Sequence, residues 1–156
     1  MLNITFFGTD IFAKIILEEL IKKFNVSLII TKPDEKVGRK QTVEESKIAK
    51  FAKENNIKCL KPTKLKDIKQ ELEQNNSDIF IVAEYGKIIP EDIINIPKYK
   101  TINIHGSILP KYRGASPIQY SLLNGDKTTG ITIMQMDKEM DHGNIIKIKE
   151  VKIDEN

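Results

Sequence analysis

A doubly wound, mostly parallel α/β sheet with a C-terminal β-hairpin extension is the architecture this sequence predicts, and three observations predict it. Short continuous apolar runs, the mark of strands buried on both faces, recur along the first two thirds of the chain. Segments with helical apolar spacing separate them, the alternation expected of βαβ units. Beyond His105 the rhythm changes to two strand-like runs joined by a polar, turn-rich segment, which suits an antiparallel hairpin.

The first strand covers Asn3 to Phe7 and ends on Gly8, after which Thr9 or Asp10 can cap a helix. Ile11, Phe12, Ile15, Ile16, Leu20 and Phe24 extend that helix from Asp10 to about Phe24, and Val26 to Ile30 reads as a second buried strand. TKPDEKVGRKQ, with Pro33 and Gly38, reads as a long polar loop. Thr42 with Glu45 has the spacing of a capping box ahead of a helix whose apolar face is Ile48, Phe51 and Ala52. A short strand at Ile57 to Leu60 follows, then a helix opened by Pro62 or Thr63 with Leu65, Ile68 and Leu72 on one side. Asp78 to Ala83 is a continuous apolar strand, Pro90 to Ile94 a short helix, and Thr101 to His105 a fifth strand. GSILPKYRGASP is a loop leading to a brief helix at Pro117 to Leu123. The strands Gly130 to Met136 and Ile145 to Ile153 are joined by DKEMDHGN. The apolar register of the last strand slips between Ile148 and Val151, which predicts a bulge or an exposed edge.

With 156 residues, 40% apolar and 30% charged, the chain suits a single domain able to bury roughly 68–70% of its unfolded surface without disulfides or metal clips. The single Cys59 can make no internal bridge, so a reduced, cytoplasmic setting is expected. MLNITFFG lacks the basic start of a secretory signal, and no apolar run approaches the ~18 residues of a membrane helix, so no membrane partner is expected. A net charge of +3 is too small to diagnose a nucleic-acid binder. The basic set is lopsided, 23 Lys against two Arg, which singles out Arg39 and Arg113, both in glycine-containing loops where a planar fork can grip phosphate or carboxylate.

Asn103 and His105 project to the same face at the end of the fifth strand, because strand side chains alternate. Ligands of open parallel sheets bind outside those strand ends. From spacing alone His105 is equally a catalytic imidazole or one that only bonds the neighbouring loop. Asp141, before His142 and Gly143, can reach His105 if the hairpin packs beside the fifth strand, and is otherwise a turn residue. Together the three would suit acyl transfer: a carboxylate fixes the imidazole, and an amide donates to a developing oxyanion. Other chemistries lack their motifs. No G-x-S-x-G elbow accompanies Ser107, no G-x-G-x-x-G follows the first strand, and Cys59, His105 and His142 have no zinc-ligand spacing, so no metal is expected. The basic stretch Lys32 to Lys40 either grips phosphate or is simply solvated.

NIHGSILPKYRGASPIQ, with Asn103, His105 and the later Asp141, resembles the signature of the formyltransferases that use 10-formyltetrahydrofolate. FFGTDIFA, TKPDEKVGR, AEYGKIIP and GITIMQMD resemble, in order and along nearly the whole chain, the branch that formylates methionyl-tRNA. The resemblance implies a Rossmann-like domain that moves a formyl group from 10-formyltetrahydrofolate to the amino group of methionyl-initiator tRNA. On that likeness Asn103 and His105 hold the formyl carbonyl, and Asp141 pairs with His105. Ser107, Ile108, Leu109 and Pro110 line the folate site, and a loop carrying Arg39, with Lys36 and Lys40, meets the tRNA. The chain departs from the pattern at Glu84, where a small or apolar residue is usual, and at His142. It also ends where the family continues with a further helix and a tRNA-binding β-barrel, so residues 1–156 are expected to be a catalytic domain incomplete at its C-terminus, acting as a monomer. Two alternatives stand beside this one: formylation of an amino sugar nucleotide or other small amine, against which the long TKPDEKVGR loop argues, and a non-catalytic folate- or RNA-binding remnant.

Overall fold

The computed structural model describes residues 1–154. Seven strands form one mixed sheet. They are β1 (Asn3–Gly8), β2 (Asn25–Ile30), β5 (Lys58–Leu60), β6 (Ile79–Ala83), β7 (Thr101–His105), β8 (Thr128–Gln135) and β9 (Ile145–Lys152), arranged in the order β5-β2-β1-β6-β7-β8-β9. The first five in that order run parallel, and β8 and β9 add to the β7 edge antiparallel. From β1 the chain winds outward to β2 and β5, then crosses back to place β6 on the other side of β1. That reversal puts a crevice at the carboxyl ends of β1 and β6.

Alternation along the strands builds two cores. Ile4, Phe6, Ile81 and Ala83 face α1 (Ile11–Leu20) and α2 (Lys47–Glu54), packing with Ala13, Leu17, Ile48, Phe51 and Ala52. Phe7, Leu28, Phe80 and Val82 face the other way, toward Leu65 in a 3-10 turn (Leu65–Ile68), Leu72 in α3 (Lys69–Gln74), and Ile93 and Ile94 in α4 (Glu91–Ile94). Gly8 is needed where α1 leaves β1: a Cβ there would meet the Ala13 Cβ at 2.6 Å and the Ala83 carbonyl oxygen at 2.9 Å. A short helix, α5 (Pro117–Leu123), follows β7.

Several local expectations change. The helix expected as far as Phe24 ends at Leu20, and its buried spine is Ala13 and Leu17, while Ile11 and Ile15 face solvent. Asp10 stands at its N-cap without a side-chain hydrogen bond. The capping box at Thr42 and Glu45 does not form; Ser46 caps α2 by accepting from the Ala49 N–H at 3.0 Å. Thr42 instead belongs to a small exposed hairpin of β3 (Glu35–Val37) and β4 (Thr42–Glu44), where a long loop was expected. Three-residue strands that bury nothing carry no apolar alternation, so the sequence hides them. The helix expected from Pro62 or Thr63 begins as the 3-10 turn at Leu65. The last strand is exposed throughout, and its bulge lies at Ile146, which the pairing of Ile133 with Lys147 and Met134 with Ile145 skips.

Candidate active site

Parallel register with β6 sets Asn103 beside Val82, and antiparallel register with β8 sets it beside Met134 and His105 beside Thr132. Both side chains therefore leave β7 on one face, at the carboxyl end of the sheet. The nine residues between β8 and β9 return over that end. The return is tight at Gly143, where a Cβ would lie 1.7 Å from the Gln135 carbonyl oxygen, so only glycine fits. Two residues earlier Asp141 adopts a left-handed backbone, φ 50°, which points its carboxylate inward.

The three side chains meet. Asn103 Nδ2 donates to Asp141 Oδ1 at 3.2 Å, the Gly114 N–H donates to Asp141 Oδ2 at 2.7 Å, and His105 Nδ1 stands 3.6 Å from Asp141 Oδ1. The His105 and Asp141 side chains are only 7% and 8% exposed, so water screens this pair little. His105 Nε2 lies 2.7 Å from the Tyr112 carbonyl oxygen. A carbonyl can only accept, so Nε2 carries the hydrogen and Nδ1 is the nitrogen free to take a proton. The two readings of His105 thus coexist: it bonds the loop through one nitrogen and presents the other beside a carboxylate.

The loop from Gly106 to Ser116 holds that arrangement. Ser107 Oγ donates to the Lys111 carbonyl, and Thr132 Oγ1 donates to the Ser107 carbonyl at 2.7 Å while accepting the Leu109 N–H at 3.1 Å. Lys111 Nζ and the Tyr112 hydroxyl both bond the Asp126 carboxylate, at 2.8 and 2.7 Å, and hold its carboxyl below the usual range.

A cleft of about 460 Å³ opens over Asn103, His105 and Asp141. Its walls are Phe12, Val82, the segment Glu84 to Ile89, Gly106, the segment Gly114 to Gln119, and the segment Met136 to Met140. Ser107 to Pro110, expected to line it, are absent from those walls: Ser107 and Leu109 are buried in the loop's own hydrogen bonds under β8. The wall residues Glu84 to Ile89 and Met136 to Met140 had no assigned part in the sequence reading. Their signal was there in the turn-forming AEYGK and DKEM segments at strand ends, where ligands of such sheets bind.

Lys36 lies on β3, and Arg39 and Lys40 in the turn between β3 and β4, all exposed and outside the cleft walls. The roots of this hairpin are pinned. Lys61 Nζ bonds Asp34 Oδ1 at 2.7 Å and Glu45 Oε1 at 2.9 Å, and the Thr31 and Ser46 hydroxyls are 2.9 Å apart. Arg113 is exposed between Tyr112 and Gly114, and His142 Nδ1 lies 3.2 Å from Asp137 Oδ2 at the surface. Burial pushes the Cys59 thiol up to about 11, an inert setting. Among the described residues no group of three His, Cys, Asp or Glu side chains is placed to hold a metal ion, and no helix is long and apolar enough to cross a membrane.

A doubly wound α/β sheet with an amide, an imidazole and a carboxylate gathered at its switch-point end belongs to the class of proteins equipped for acyl transfer. The chain belongs to the formyl transferase family, whose pattern matches residues 2–156. It is 48% identical to the methionyl-tRNA formyltransferase of Mycoplasmopsis pulmonis over 96% of this chain and 52% of that protein. It is 44% identical to the one of Dictyoglomus thermophilum over 97% of this chain and 50% of that protein. The chain thus spans about half the length of the curated relatives it matches. Among solved structures, its fold resembles phosphoribosylglycinamide formyltransferase from Streptococcus pneumoniae, with a TM-score of 0.81 at 20% identity, covering 100% of this chain and 86% of that one. The fold also resembles a formyltetrahydrofolate deformylase from Pseudomonas syringae, with a TM-score of 0.72 at 19% identity, covering 98% and 52%.

Proposed function

We propose that this chain carries the chemical step of formyl transfer from 10-formyltetrahydrofolate to the α-amino group of methionyl-initiator tRNA. The observation that carries the reading is the closed contact of Asn103, His105 and Asp141 at the floor of the cleft. The donor supplies a formyl group on N10; the acceptor amine attacks its carbon, the bond to N10 breaks, the amine loses one proton and N10 gains one. Negative charge develops on the formyl oxygen. One N–H of Asn103 is spent on Asp141 and the second is left to meet that oxygen, in a site where a preorganised donor is worth about 10²–10³ in rate. Nδ1 of His105 accepts the proton from the amine, and the adjacent Asp141 carboxylate stabilises the imidazolium that results.

A cleft of about 460 Å³ suits a folate-sized donor better than an RNA stem. Its apolar wall residues Ile89, Met136 and Met140, together with the Gly86 backbone, fit a flat heteroaromatic ring, so we assign the donor to this cleft, to which the family likeness adds Ser107, Ile108, Leu109 and Pro110. The pinned hairpin with Lys36, Arg39 and Lys40 fits phosphates of the acceptor arm outside the cleft. The purified chain, given labelled formylfolate with methionyl-tRNA or with an amino sugar nucleotide, is expected to label the tRNA. Labelling of the sugar alone would favour the small-amine alternative, and folate binding with no transfer to either would favour the non-catalytic one.

A further inference from the structure

The hydrogen of a neutral imidazole is placed by the acceptors its two nitrogens face, and His105 has one on each side. Nδ1 stands 3.6 Å from Asp141 Oδ1, and Nε2 stands 2.7 Å from the Tyr112 carbonyl oxygen. A carboxylate accepts more strongly than a carbonyl, so Asp141 alone would draw the hydrogen to Nδ1 and leave no lone pair there for a proton from the acceptor amine. Distance decides for Nε2, and that distance depends on where Tyr112 holds its carbonyl. The Tyr112 backbone is left-handed, φ 56°, a state that persists in a residue other than glycine only where its surroundings hold it. The hold lies at the far end of the side chain. The Tyr112 hydroxyl donates to Asp126 Oδ2 at 2.7 Å and accepts from Asn124 Nδ2 at 2.9 Å, while its ring stacks on Tyr120 with centroids 6.5 Å apart. The Lys111 ammonium bonds both Asp126 oxygens, at 2.9 and 2.8 Å, so one carboxylate grips two consecutive residues of the loop. Asp126 is itself anchored, its N–H donating at 3.0 Å to the carbonyl of Ser121, a buried residue of α5.

We propose that Asp126 is a positioning residue for formyl transfer: by gripping the Tyr112 hydroxyl and Lys111 it fixes the Tyr112 carbonyl on Nε2 of His105, and so keeps Nδ1 free as the base. Its consequence for transfer rests on the proposed function; the placement of the hydrogen does not. Asp126 lies outside the cleft walls and acts only through the loop. Without its grip the phenol and the ammonium lose their shared acceptor, the backbone of Tyr112 relaxes from the left-handed region, and the carbonyl leaves Nε2. The Asp141 carboxylate then takes the hydrogen at Nδ1.

The test reads the ring nitrogens of His105 by nitrogen NMR, at a pH where the imidazole is neutral, in the unsubstituted chain, in Asp126→Ala and in Tyr112→Phe. His142, the only other histidine, is exposed and serves as the internal reference. Tyr112→Phe keeps the ring against Tyr120 and loses only the hydroxyl, which covers the case in which Asp126→Ala does not fold. Nε2 is expected to carry the hydrogen in the unsubstituted chain, and in the variants the hydrogen should move toward Nδ1. With it kcat of formyl transfer should fall by about tenfold or more while KM for both substrates holds, since a positioned base contributes about 10²–10⁴-fold. A hydrogen that stays on Nε2 in the folded variants would overturn the proposal, as would a loss of turnover that comes from KM alone. A hydrogen that moves while kcat holds would support the placement by Asp126 and count against His105 as the base, so the two failures are told apart.

Discussion

Replacing Asp141 by asparagine keeps the shape of the side chain and removes what the site uses. Asp141 Oδ2 accepts the Gly114 N–H at 2.7 Å and Oδ1 accepts Asn103 Nδ2 at 3.2 Å. An asparagine has one oxygen for these two donors. If that oxygen stays on Gly114, its NH2 group faces the NH2 of Asn103, and Asn103 must turn over or move away. One charge-assisted hydrogen bond becomes neutral and the other is lost, in a pocket where the carboxylate side chain is 8% exposed. With hydrogen bonds to charged groups worth about 1.5–3 kcal/mol, Asp141→Asn should lower unfolding stability by about 2 kcal/mol. The effect on chemistry is larger. The donor for the oxyanion is displaced, worth about 10²–10³, and the imidazolium loses its counter-charge, so single-turnover transfer should fall by about 10³-fold or more. Urea denaturation and single-turnover formylation of methionyl-tRNA measure the two effects. A variant keeping more than about a third of the turnover would refute the proposed roles, and one unchanged in stability would show that the Gly114 and Asn103 bonds carry no net weight.

Two further outcomes follow from single residues. The Tyr85 hydroxyl is buried with no hydrogen-bond partner among the described residues, so Tyr85→Phe should raise stability by about 1 kcal/mol at neutral pH. Burial also pushes this phenol up to about 12. Between the ordinary value of 10.0 and that value the unfolded chain releases a proton that the folded chain keeps, so stability falls as pH rises. The phenylalanine variant should lose less stability over that window in denaturation curves, and equal slopes would refute the assignment. Arg39→Ala, on the exposed hairpin, should weaken methionyl-tRNA binding and reduce its salt dependence by about one phosphate contact while leaving folate affinity unchanged; equal loss of both, measured by titration at two salt concentrations, would remove the hairpin from RNA binding.

The parallel part of the fold was legible because each central strand is buried on both faces and is written as an unbroken apolar run, as in FIVA before Glu84. Thr101 to His105 was readable to the residue, and the short helix around Pro117 to Leu123 was readable in place. The β3–β4 hairpin was not, since strands of three exposed residues leave no apolar trace. Asn103 and His105 could be placed together from strand alternation alone. Their meeting with Asp141 could not: it depends on antiparallel pairing across β8 and on the close approach at Gly143, contacts between residues distant in sequence. The role of Tyr112 was invisible for a different reason, because it acts through a backbone carbonyl that any residue would supply. The inward turn of Ser107 and Leu109 was hidden in a similar way, since it satisfies the loop's own hydrogen bonds.

The account stands most directly on where a labelled formyl group goes. Single-turnover transfer from 10-formyltetrahydrofolate, run with this chain and with Asn103→Ala, should place the label on the α-amino group of methionyl-tRNA and lose about 10²–10³ of its rate in the variant. Label carried to the tRNA at an unchanged rate by Asn103→Ala would contradict the site, and label found only on another amine would contradict the substrate.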